Sequence, residues 1–139
     1  MLTLDASNTI IEHALQKAQE MNLPPLSIAV VDQGGHLKSI VRQDNAPFFL
    51  ATIAYGKAWG AVSMGRSTRK MGEIFIDRPH FLNALINLAD GKFVAVPGGV
   101  LIAKDGQVVG AVGISGASSD EDEACAITGI EAAGFEAKI

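Results

Sequence analysis

Four carboxylates in a row, Asp120-Glu121-Asp122-Glu123, follow a small-residue loop, Ser115–Ser119. Such a run supports two chemistries. In the first turn of a helix, carboxylates are stabilised by the macrodipole and by free backbone N–H groups. Ser118 with Glu121, or Ser119 with Asp122, has the spacing of a capping box. In the other chemistry Glu121 or Asp122 points back across a sheet toward a cation or a substrate hydroxyl. Either would then serve as a general base, with burial raising its pKa. An anion at this helix start would be repelled by the same carboxylates.

The cations best placed to answer them are Arg42 and Lys57, each isolated in an apolar setting. A lone charge in such a setting needs a carboxylate partner. Asp44, an acid of the last helix, or the carboxylate of a bound small molecule would each serve. His36 follows Gly34-Gly35 at the mouth of a hairpin, where a neutral imidazole can reach a pocket or ligate a metal. His13 sits beside a helical apolar stripe and reads as structural, and His80 begins a helix. No two histidines have metal-binding spacing, and the lone Cys125 cannot complete a zinc site or an internal disulfide. Gly98-Gly99, at a strand entry, lets a backbone come close to a ligand and exposes N–H donors. Ser115 and Ser118 lack the nucleophile-elbow pattern.

The elements that must position these residues read as α-β-β-α-α-α-β-β-α. Ile10, Ile11, Ala14, Leu15, Ala18 and Met21 form one helical stripe within Thr3–Met21. Leu26–Val31 and Val108–Ile114 are apolar on both faces, as strands covered on both sides are. His36–Arg42 alternates imperfectly and reads as a strand with one partly wet face. Asp105-Gly106 supplies the positive φ angles of a tight hairpin between Val100–Ala103 and Val108–Ile114. Asp44–Pro47 opens a helix rich in small residues through Val62, which permits close approach of another element or a ligand. Ser67 caps a short helix, His80–Ala89 forms the next, and the last helix ends near Ala133. Two hairpins separated by helices make an antiparallel sheet with helices against it, an α+β fold.

The chain has 139 residues, a length that suits one domain over residues 1–139. With 48% hydrophobic and only 19% charged residues, some surface is expected to be buried between subunits of a homo-oligomer. The net charge of −4, with no Lys/Arg run, argues against a nucleic-acid partner. No apolar segment approaches the roughly 20 residues of a membrane helix, and the start carries no signal-peptide pattern. These features fit a cytoplasmic protein.

Several stretches together resemble one family: Ile28-Ala-Val-Val-Asp-Gln-Gly-Gly-His-Leu37, Arg42-Gln-Asp-Asn-Ala46, Lys57-Ala58, Pro97-Gly-Gly-Val100, and Asp105-Gly-Gln-Val-Val-Gly-Ala-Val-Gly-Ile-Ser-Gly116 followed by Asp120-Glu-Asp-Glu-Ala124. The chain resembles the GlcG/HbpS family, the haem-degrading or DUF336 domain, over nearly its whole length. That resemblance implies about five antiparallel strands flanked by helices, profilin- or roadblock-like, in homo-oligomers from dimers to octamers. It also implies haem as a ligand of some members. Where the family often has a Thr-Ala pair after Lys57-Ala58, this chain has Trp59-Gly60-Ala61.

Two functions follow. One is an oligomeric binding module that holds haem, a corrinoid or another small molecule near His36, Arg42, Lys57 and Gly98-Gly99. The other is an enzyme or accessory subunit acting on a small hydroxy-acid or hydroxy-carbonyl compound. There Arg42 or Lys57 grips a carboxylate, and Glu121 or Asp122 is the base.

Overall fold

The computed structural model describes Met1–Ile139. In chain order the elements are α1 (Leu4–Glu20), β1 (Ser27–Asp32), β2 (Leu37–Arg42), α2 (Phe49–Met64), α3 (Thr68–Ile74), α4 (Pro79–Leu88), β3 (Gly99–Lys104), β4 (Gln107–Ser115), α5 (Ser119–Ala132) and β5 (Glu136–Lys138). The five strands form one antiparallel sheet in the order β2-β1-β4-β3-β5. The α+β class and the order of the first nine elements match the sequence reading. The tenth does not appear in it. β5 has only three residues, Glu-Ala-Lys, with no apolar run to mark it. It forms because Gly134, at φ +86°, turns the chain after α5 and lays it against β3.

Alternation along the inner strands divides the core between two faces. Ile28, Val30, Val100, Ile102, Val112 and Ile114 pack against α1 and α5. Ala29, Val31, Leu101 and Ala111 pack against Ala54, Ala58 and Ala61 of α2. β1 and β4 therefore lie inside the sheet with both faces covered, which explains their unbroken apolar runs. The small residues of α2 serve close approach to the sheet. A Cβ on Gly113 would lie 2.0 Å from the Ala54 carbonyl oxygen and 2.6 Å from the Ala58 nitrogen.

β2 departs from expectation. It is an edge strand, and neither face is buried: Leu37 and Ile40 are 49% and 40% exposed. α2 starts at Phe49, later than Asp44–Pro47 suggests, because Asn45 takes a left-handed conformation at φ +68°. Met71, Phe75, Ala89 and Phe93 form a small separate core with Trp59 on the outer side of α2. No helix is long and apolar enough to cross a membrane.

Candidate functional site

Side chains from helices on opposite faces of the sheet meet at one of its ends. Lys57 of α2 and Asp122 of α5 are joined there, Nζ to Oδ2, at 3.2 Å. The same ammonium donates to the Ile114 carbonyl at 2.8 Å, where β4 runs out. The other carboxylate oxygen, Oδ1, accepts the Ala117 N–H at 3.0 Å. Lys57 is 2% exposed and Asp122 is 1% exposed. Burial pushes the Lys57 pKa down and the Asp122 pKa up, and each charge opposes the shift of the other. No buried side-chain polar atom is left without a partner.

The double glycine makes room for this pair. A Cβ on Gly98, whose φ is +128°, would stand 2.7 Å from Lys57 Nζ and 2.8 Å from the Ile114 oxygen. One on Gly99 would stand 2.5 Å from the Lys57 carbonyl oxygen. The Gly99 N–H donates to Thr68 Oγ1 at 2.8 Å. What comes close to these glycines is α2 and its lysine.

The other acids of the run are also engaged. Glu121 completes a capping box: its carboxylate accepts the Ser118 N–H at 3.1 Å, and Ser118 Oγ accepts the Glu121 N–H at 3.2 Å. Arg69 of α3 donates through Nε to both oxygens of Glu123, at 3.1 and 3.0 Å, and through Nη2 to Asp120. Its hydrogen bonds to the Glu123 and Asp120 carboxylates hold the guanidinium well above its ordinary pKa. No local signal in the sequence links Arg69 to acids more than fifty residues away. Of the four surface clefts, none is lined by Lys57, Gly98, Gly99, Glu121 or Asp122. Nearby Cys125 is buried, and burial together with the Asp122 charge pushes its thiol up to about 11.

His36 lies at the opposite end of β1, a strand about 17 Å long by its residue count. Asp32 closes the β1–β2 turn there. Its Oδ1 accepts the Gly34 N–H at 2.9 Å and the His36 N–H at 3.0 Å. Slight burial works against ionisation of Asp32, but these bonds outweigh it and hold the carboxyl below its ordinary value. The imidazole Nδ1 stands 3.5 Å from the same oxygen, with the side chain 83% exposed. His36, Lys38, Gln107, Leu2 and Val109 line a cleft of about 640 Å³. Its walls are apolar only in part.

Arg42 joins neither place. Ser27 pairs with both Arg42 and Ser115, so Arg42 ends β2 at the Lys57 end of the sheet, roughly 10 Å across two strand spacings. Its Nη1 donates to the Ala46 carbonyl at 2.7 Å, and it borders a cleft of about 490 Å³ with Pro25, Gln43 and Asp44. His13 bonds through Nδ1 to the Thr9 carbonyl of its own helix. No group of three or more His, Cys, Asp or Glu side chains is placed to hold a metal ion.

Comparison with known proteins adds the lineage. The family described as "Haem degrading protein HbpS-like" matches residues 2–131. The chain belongs to this HbpS-like family. It is similar to protein GlcG of Escherichia coli, 33% identical over 121 residues, covering 83% of this chain and 81% of GlcG. It is also similar to the corrinoid adenosyltransferase PduO of Salmonella typhimurium, 31% identical over 119 residues. That match covers 86% of this HbpS-like chain but only 35% of PduO, so the chain spans about a third of that protein. Among solved structures it is similar to the PduOC:haem complex, with a TM-score of 0.87 and 29% identity, covering 97% of this chain and 96% of that one.

Proposed function

We propose that this HbpS-like chain binds haem at the cleft beside His36, where the His36 imidazole would hold the iron. One observation carries the reading: an exposed imidazole whose Nδ1 faces the Asp32 carboxylate at 3.5 Å. A carboxylate beside Nδ1 favours the tautomer that leaves the Nε2 lone pair free for iron. The rest of the cleft fits the group. Met1 and Val109 offer apolar contact to a porphyrin, and Lys38 offers a cation to a propionate. Bound there, haem would supply a redox-active iron. The chain's own residues orient the ligand imidazole and balance the propionate charge. The haem complex of the PduO domain supports the choice of ligand.

The cleft is open, so one copy covers one face of a porphyrin. A homo-oligomer, of any size from dimer to octamer, is therefore part of the proposal. Phe48, Ile76 and Leu88, at 83%, 75% and 83% exposure, are apolar side chains that subunit contacts would cover. We place this binding in the cytoplasm and assign it to residues 1–139 as one domain. The enzyme reading asks Arg42 or Lys57 to grip a substrate carboxylate and Glu121 or Asp122 to take a proton. It is less well supported, because Lys57 and Asp122 are buried against each other, Glu121 is engaged in the α5 capping box, and Arg42 stands apart on the edge strand.

A haem titration of the purified protein tests the proposal, followed by absorbance and by size-exclusion mass. A saturable Soret shift is expected, lost in His36→Ala and weakened in Lys38→Ala. No Soret shift at micromolar haem, or an undiminished one in His36→Ala, overturns it.

A further inference from the structure

A second cleft, which shares no residue with the one beside His36, collects positive charge from two separate stretches of the chain. Arg66 lies in the connection between α2 and α3, Lys70 on α3, and Lys138 on β5. All three line one cleft of about 370 Å³ with Ser67 and the buried Leu101. No Asp or Glu side chain lines it. Arg66 and Lys138 make no ion pair, and Lys70 has only Glu73, an exposed neighbour at 4.0 Å. Ile139 also lines the cleft. Even when the carboxylate of this last residue is counted against the three cations, an excess of two positive charges remains. In a chain of net charge −4, holding like charges together without acidic partners costs free energy that a bound anion would offset.

We propose that this cleft binds a compact organic dianion, a phosphate monoester or a dicarboxylate. The guanidinium of Arg66 is suited to paired hydrogen bonds with one anionic group, and Lys70 and Lys138 act as point charges around it. The volume lies at the small end of ligand sites, which run from roughly 300 to 1,000 Å³, and suits a small metabolite. The site depends on β5, which brings Lys138 beside β3 through the Leu101↔Lys138 pairing. It does not rest on the haem reading.

The test is a titration of the ¹⁵N-labelled full chain with inorganic phosphate and, separately, with malonate, at constant ionic strength. Saturable amide shifts confined to Gly65–Lys70 and the end of β5 are expected with at least one of the two. Saturation by phosphate alone assigns a phosphoryl ligand, and saturation by malonate alone or by both assigns a carboxylate-accepting one. The double variant Arg66→Ala/Lys138→Ala should bind about tenfold or more weakly. Arg66 is exposed and Lys138 half-buried, and unchanged amide signals around Lys57 and Asp122 would verify the fold. Shifts spread over the whole surface, no saturation with either anion, or undiminished binding by the double variant overturns the proposal.

Discussion

The two ends of the sheet carry similar groups with opposite accessibility. At one end, Asp122 accepts a backbone N–H through Oδ1 and pairs with Lys57, beside Gly98. At the other, Asp32 accepts two backbone N–H groups through Oδ1 and faces His36, beside Gly34. The first pair is covered because Lys57 of α2 and Asp122 of α5, from opposite faces, close on the Ile114 carbonyl and on Gly98 at the end of β4. At the second, Tyr55 and Trp59 of α2 reach only the Gly35 backbone of the turn, and the His36 side chain is left 83% exposed. A carboxylate with a basic partner is thus not a site by its chemistry alone. The helices that pass over it decide whether it braces the fold or meets a ligand.

The largest expected effect comes from breaking the covered pair. Lys57→Met leaves the Asp122 carboxylate buried without its cation and should cost about 3–5 kcal/mol in denaturant unfolding. The two single variants should also differ in pH dependence. In Lys57→Met the folded-state pKa of Asp122, already raised, rises further. The folded state then holds a proton that the unfolded state loses above 3.8, so relative stability recovers as pH falls toward that value. In Asp122→Asn the already lowered Lys57 pKa falls further. The unfolded state then holds the extra proton, so relative stability recovers as pH rises toward 10.5. Parallel pH slopes for the two variants would mean that the pair is not coupled as described. Lys57→Met/Asp122→Leu should regain much of the loss.

Next in size is Gly98→Ala. It places a Cβ against Lys57 Nζ at a φ of +128° and should cost roughly 1–3 kcal/mol by the same unfolding measurement. Ser118→Ala removes one half of the capping box and should cost about 1 kcal/mol. Glu121→Gln keeps a side chain able to accept the Ser118 N–H and should cost less than about 0.5 kcal/mol. A large loss of a measured turnover in Glu121→Gln, with the fold intact, would return this residue to a catalytic role. Smallest for the fold is His36→Ala at the open end, expected within about 0.5 kcal/mol of the parent. Its effect should fall on the haem Soret response instead, which sharpens the contrast between the two ends.

Much of the fold is legible in the residues. Asp105 and Gly106 adopt φ of +51° and +78°, the hairpin geometry their types predict. Ser118 and Glu121 form the capping box that their spacing announces. The candidate site is legible only in its parts. Lys57 is recognisable as a charge that needs a partner, and the acids of α5 are among its natural candidates. That Asp122 takes it, while Glu121 caps the helix and Glu123 and Asp120 hold Arg69, is not written in any local pattern.

By itself the sequence determined the first nine elements, their order and the family, because helical periodicity, turn residues and apolar runs act over a few neighbours. Only the tertiary structure decided which charges meet and which remain open. Lys57 and Asp122 lie 65 residues apart, and no local interaction joins them. Arg66 and Lys138 share a cleft only because a strand with no apolar run pairs with β3. Burial and charge proximity depend on how the layers pack, and packing is a property of the whole chain.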